Sequence, residues 1–116
     1  MRLVLILLAL LAAPLPAFSE PTFFPARNGN ADAPVLVVYS SLDEPLARPM
    51  IKGFQEANQD VALRYDEMLT GEVYDRIVRE TDAGEKTADF AFSSAMDLQV
   101  KLSNDGYAQR SDLPMS

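Results

Sequence analysis

The sequence contains no cysteine and no histidine among its 116 residues. These absences exclude disulfide bonds and remove the commonest general acid–base group, the thiolate nucleophile and the usual zinc ligands. Basic residues are also scarce, since ten Lys and Arg face 17 Asp and Glu, a formal net charge of -7. Nucleic-acid phosphates and anionic membranes repel an acidic chain, so no nucleic-acid partner is predicted. The length suits one compact domain.

Residues 1–19 have the pattern of a secretory signal peptide. Arg2 supplies the positive n-region, Leu3 to Ala13 form an apolar run of 11 residues, and Ala17-Phe18-Ser19 provides a small-residue cleavage pattern. The run is shorter than the roughly 20 residues that span a bilayer, so cleavage after Ser19 is predicted rather than a permanent anchor. Without a cysteine for lipid attachment, the mature chain is expected to be free in the periplasm, with no stable membrane anchor.

Residues 20–34 are rich in Pro, Asn and Gly and are predicted to form a linker without regular structure. The folded part is expected over residues 35–116, where apolar runs alternate with amphipathic stretches. Strands are predicted at 35–39, 61–65 and 88–92, the second of them nearer an edge of the sheet. A helix follows each strand, and the first is expected at 44–58, with a buried stripe of Leu46, Met50, Phe54 and Ala57. This order predicts an α/β fold with a doubly wound parallel sheet.

Ligands of such sheets bind at the carboxyl ends of the strands beside the topological switch point. The loops expected there contain Ser40-Ser41 and Ser93-Ser94, each leading to a helix N-terminus with free N–H groups and a positive dipole end. Ordinary N-capping explains each serine singly. Their convergence predicts a ligand-binding crevice for a carboxylate, phosphate or other oxyanion, with Tyr39, Asp43 and Thr70 as possible additional contacts.

Other chemistry is sparse in this sequence. Asp43-Glu44 and Asp66-Glu67 are adjacent carboxylates, but solvated helix starts or strand ends are expected at both places, and Arg76 has the pattern of a surface charge on a helix. No phosphate-binding glycine loop, nucleophile elbow or zinc-binding helix motif is present. The sequence therefore predicts no catalytic residue, no metal site and no cofactor.

Residues 35–108 resemble the first lobe of extracellular solute-binding proteins of bacterial ABC transporters, closest to the branch with ferric-ion-binding proteins. The resemblance rests on the strand that ends in Tyr39-Ser40, the Gly71-Glu72 helix start, the Ala88-Asp89-Phe90 strand with Ser93 at its end, and Gly106-Tyr107. It implies capture of a small solute, either an organic or phosphorylated anion or a ferric ion, and delivery to a membrane permease. It also implies that residues 35–116 are an incomplete lobe.

Two departures from the ferric branch count against iron: Asp43 stands where ferric members place a histidine, and Ser94 where they place a glutamate. Two other functions stay open. One is an exported α/β enzyme that uses Asp43 or Asp66 as acid or base, and the other is a sensory or interaction module derived from a binding lobe.

Overall fold

A computed structural model describes residues 20–110 of the chain. The predicted signal peptide lies outside the described residues. Within them, four strands and three helices follow one another in the order β1, β2, α1, β3, α2, β4, α3. Their bounds are β1 Thr22–Phe24, β2 Val35–Ser40, α1 Glu44–Ala57, β3 Ala62–Glu67, α2 Thr70–Asp82, β4 Phe90–Phe92 and α3 Met96–Asn104.

The four strands form one sheet in the order β1-β3-β2-β4. β2 pairs in parallel with β3 on one side, with Val38 opposite Tyr65, and in parallel with β4 on the other, with Val38 opposite Phe90. The chain therefore turns to one side after β2 and to the other side after β3. This confirms the predicted α/β fold class and places the switch point between β2 and β4.

Two expectations about the sheet are wrong. β1 lies inside the predicted linker, where Phe23 pairs antiparallel with Arg64 of β3. The second predicted strand is consequently an interior strand, because β1 covers the side of β3 that would otherwise be free. The segment of β1 is only three residues long and lies between prolines, and its partner is about 40 residues further along the chain, so local sequence patterns carry little signal for it.

Helices pack on both faces of the sheet, as the alternation of side chains along a strand requires. On one face, Val38, Leu63 and Tyr65 pack with Ala47 and Ile51 of α1. On the other face, Tyr39 packs with Val73 and Ile77 of α2 and with Leu102 of α3. Gly84 follows α2 with a φ of 71°, so it ends that helix in the left-handed conformation that favours glycine.

The predicted buried stripe of α1 is displaced by one residue. Leu46 and Met50 are 66% and 53% exposed and Ala57 is exposed, whereas Ala47, Ile51 and Gln55 are buried. Gln55 is buried because its Nε2 donates to the carbonyl oxygens of Phe24, Pro25 and Val61 at 3.1 to 3.3 Å. These hydrogen bonds attach α1 to β1 and satisfy the polar group of the buried Gln55 side chain. Of the predicted stripe, Phe54 alone packs against the core.

β4 is the edge strand next to the switch point. Its Phe90 is 55% exposed and contacts Phe92 at a ring-centroid distance of 5.9 Å, so this strand presents apolar surface to solvent. No helix between residues 20 and 110 is both long enough and apolar enough to cross a membrane.

Candidate solute-binding cleft

The two serine loops meet at the switch point. The backbone N–H of Ser94, after β4, donates to Oγ of Ser41, after β2, at 3.4 Å. The contact spans 53 positions of sequence and follows from the parallel pairing of β2 with β4, which brings the carboxyl ends of both strands to the same edge. The predicted convergence of the two loops is therefore present in the structure.

Three of the predicted contact residues are turned into the protein. Ser40 is fully buried, and its Oγ accepts the N–H of Leu42 at 3.0 Å. Tyr39 is 3% exposed and belongs to the core against α2. Ser93 is half-buried, and its Oγ accepts the N–H of Ala95 at 3.3 Å. The hydroxyls of Ser40 and Ser93 thus stabilise the turns that lead out of β2 and β4.

The other four line one open cleft with a volume of about 1120 Å³. Ser41 and Ser94 lie at the switch point, Asp43 immediately precedes α1, and Thr70 begins α2. The cleft is bordered by six acidic and three basic side chains, which are Asp43, Asp66, Glu67, Glu72, Asp75 and Glu80, and Arg64, Arg76 and Arg79. Hydroxyl groups and charges of both signs therefore face the same space.

The helix N-termini at the cleft differ from the predicted serine caps. The residues before α1, α2 and α3 are Asp43, Leu69 and Ala95, and none of them makes a side-chain cap hydrogen bond. At α1 a carboxylate from another element takes this role, because Glu67 Oε1 of β3 accepts the N–H of Glu44 at 2.6 Å. The Glu67 carboxylate thus already lies at the positive end of the α1 dipole, where a bound anion would otherwise lie.

A buried carboxylate organises the floor of the cleft. Asp66 is 3% exposed, and its Oδ2 lies 3.1 Å from Nη2 of Arg64 and 3.5 Å from Nη1 of Arg76. The expectation of a solvated Asp66 and a purely superficial Arg76 is therefore wrong. Asp66 lies on the α2 face of β3, where Arg76 reaches back from the helix, and cations beside a buried carboxylate offset the cost of its removal from water.

Arg76 links Asp66 to a second acidic group. Its Nε lies 3.3 Å from Oε2 of Glu80, and its guanidinium stacks over the ring of Tyr39 at 4.4 Å from the centroid. The Tyr39 hydroxyl donates to Oε1 of Glu80 at 2.8 Å, and Thr87 Oγ1 donates to the same oxygen at 3.1 Å. Burial of the Glu80 carboxyl opposes ionisation, but these hydrogen bonds and the charge of Arg76 lower its pKa.

Burial, together with the hydrogen bond to Glu80, raises the pKa of Tyr39 from 10.0 to about 12. We expect the chain to lose stability as the pH rises through this interval, because the unfolded tyrosine releases its proton near pH 10 and the folded one keeps it until about pH 12. Tyr39→Phe should lose about 1 kcal/mol at neutral pH and then show a shallower decline in alkali. Urea unfolding of both chains across the interval measures the difference. An identical alkaline decline in the two chains would show that Tyr39 does not keep its proton in this way.

Sequence patterns did not indicate the charge network of Asp66, Arg64, Arg76 and Glu80. One signal was present, since Arg64 and Asp66 alternate with the apolar Leu63 and Tyr65 and must share a face of β3. The spacing of Arg76 and Glu80 also places them on one side of a helix. That these two faces oppose each other is a consequence of the tertiary fold.

The fold and the cleft show that the described residues form an α/β domain with a polar cleft at the carboxyl ends of its strands. The chain matches no protein-family model and no curated protein. It is similar to a solved structure, the substrate binding protein of the ABC transporter from Agrobacterium tumefaciens, with 75% sequence identity and a TM-score of 0.83. The similarity covers 87% of this chain and 30% of the Agrobacterium protein. The described α/β unit therefore corresponds to part of that substrate binding protein.

Proposed function

We propose that this chain forms the first-lobe part of a periplasmic solute-binding component of an ABC transporter, and that the component delivers a small solute to the membrane permease. The observation that carries the proposal is the 75% identity to the Agrobacterium substrate binding protein. The position of the cleft supports it, because α/β sheets bind ligands at the carboxyl ends of strands beside the switch point. The proposed export by a signal peptide over residues 1–19 agrees with this place of action.

Within the cleft, we propose Ser41 and Ser94 as the principal solute contacts. Both line the cleft, and both hydroxyls can donate as well as accept a hydrogen bond. Asp43 and Thr70 border the same space and are proposed as additional contacts. The other three predicted contacts have a structural role in this proposal. The side chains of Tyr39, Ser40 and Ser93 make internal hydrogen bonds that stabilise β2, β4 and the turns that follow them.

The proposed solute is an organic molecule with hydrogen-bonding groups. A phosphorylated anion is the second candidate, favoured by the three arginines and disfavoured by the six carboxylates and by the engagement of Glu67 at α1. A ferric ion is the third, although no group of three potential ligand side chains in residues 20–110 is placed to hold a metal ion. The alternative of an exported enzyme has less support. Asp66, one of its two candidate acid–base groups, is already engaged by Arg64 and Arg76.

A chimera tests the serine contacts. The matched segment of the Agrobacterium protein is replaced by the corresponding residues of this chain, and isothermal titration calorimetry measures the binding of citrate, glycerol phosphate and ferric nitrilotriacetate. We expect Ser41→Ala with Ser94→Ala to weaken binding of the recognised probe roughly 5- to 150-fold, since two hydrogen bonds of about 0.5–1.5 kcal/mol each are lost.

The matched control is Ser103→Ala, an exposed serine of α3 that does not line the cleft. It should leave the affinity unchanged. Equal affinities of the chimera with and without Ser41 and Ser94 would reject these serines as solute contacts, whichever probe binds.

A further inference from the structure

A second concave surface lies on the α1 side of the sheet, formed by one edge of α1 and the segment that follows β1. This α1 groove has a volume of about 590 Å³. Its apolar lining includes Phe24, Pro45 and Pro49, and its cations are Arg27, Arg48 and Lys52. None of the residues lining it in the described part of the chain is acidic. The groove is therefore positively charged, although the whole chain has a formal charge of -7.

Two of these cations have no counterion in the part of the chain that the structure describes. Arg48 pairs with Glu44 one turn earlier in α1, at 2.6 Å. Arg27 and Lys52 are exposed and form no ion pair with any residue between 20 and 110. Their charges are therefore available to a carboxylate brought by a partner, and apolar side chains line the same groove.

The two prolines of the groove add a backbone acceptor. Pro49 lies inside α1 and has no N–H, so the carbonyl of Pro45 cannot receive the usual helical hydrogen bond from four residues further on. A carbonyl freed in this way can accept a hydrogen bond from the N–H of another chain. Apolar surface, two cations without a counterion among residues 20–110 and a carbonyl that lacks its usual helical donor together suit a polypeptide.

We propose that the α1 groove is the docking site for an acidic, partly apolar polypeptide segment of the membrane permease. The partner class rests on the proposed function, and its chemistry rests on the charges of the groove. An anionic bilayer fits less well, because the surface is concave, presents only three cations and belongs to an acidic chain.

The full chain is tested against the permease of the Agrobacterium transporter in phosphatidylcholine nanodiscs, with binding followed by biolayer interferometry. Arg27→Glu with Lys52→Glu should weaken binding about tenfold or more, because two attractive charge pairs become repulsive. Arg27→Gln with Lys52→Gln should give a smaller loss. Wild-type binding should also weaken as the salt concentration rises.

The matched control is Lys86→Glu with Lys101→Glu, an identical change of net charge on exposed lysines that do not line the groove. It should alter binding less than about threefold, since distant charges are screened. An equal loss in both charge reversals, absence of wild-type binding, or stronger binding to empty phosphatidylglycerol nanodiscs would each overturn the groove as a permease site. Solute binding by the chimera is a separate measurement, so failure of the groove and failure of the proposed function are distinguishable.

Discussion

Tyr65→Ala is expected to lower the free energy of unfolding by about 3–5 kcal/mol, the usual cost of deleting a large buried aromatic side chain. Tyr65 is 1% exposed and lies in the core between the sheet and α1, with its ring 6.5 Å from that of Phe92. Domains of this size have a total stability of about 5–15 kcal/mol, so the loss is a large share of it. Urea denaturation followed by circular dichroism measures the change.

Tyr65→Phe separates the two contributions of this residue. Its hydroxyl donates to the carbonyl oxygen of Leu42 at 2.5 Å and so ties β3 to the loop before α1. Loss of this bond alone should cost about 1 kcal/mol. Phe23→Ala is the control, because Phe23 is 57% exposed and its truncation should cost much less. Similar losses for Tyr65→Ala and Phe23→Ala would contradict the described core.

Asp66→Asn is expected to lower stability by about 2–4 kcal/mol. The change keeps the shape of the side chain but removes the charge that faces Arg64 and Arg76 at 3.1 and 3.5 Å. Removal of one partner of a buried ion pair typically costs about 3–5 kcal/mol. The lower value is expected here because the side chains of Arg64 and Arg76 stay 42% and 31% exposed, so water solvates part of their charge.

The matched control is Asp75→Asn, which removes the same charge from an exposed position of α2. Surface changes of this kind usually stay within about 0.5 kcal/mol. Thermal unfolding monitored by circular dichroism should therefore show a clear decrease in Tm for Asp66→Asn and little change for Asp75→Asn. Equal Tm values for the two variants would mean that Asp66 does not organise the floor of the cleft.

The sequence predicted elements that depend on local patterns. The apolar run at Val35, the proline at the start of α1 and the glycine after α2 are all local features, so the positions of β2 and α1 and the alternation of strands with helices were predicted correctly. The meeting of Ser41 with Ser94 followed from the strand order, because parallel strands present their carboxyl ends at one edge.

The remaining features depend on contacts between distant residues. Leu46 and Met50 are more apolar than Ala47 and Gln55, so periodicity selected the wrong face of α1. The hydrogen bonds from Gln55 to the region of β1 determine which face of α1 is buried, and no local sequence pattern indicates these bonds. Burial of Asp66 likewise depends on Arg76, ten residues away on another element. The same argument applies to Ser40, whose burial follows from its neighbours in the sheet.

The most direct test of the central claim is solute binding by the chimera that carries this chain in place of the matched segment of the Agrobacterium substrate binding protein. With 75% identity across the matched segment and the cleft residues at its strand ends, we expect the folded chimera to bind the solute of its parent with an affinity within about tenfold of the parent. Isothermal titration calorimetry supplies the value, and the thermal transition of the chimera verifies its fold. A chimera that folds cooperatively but does not bind the solute of its parent would contradict the proposal that this chain forms part of a solute-binding lobe.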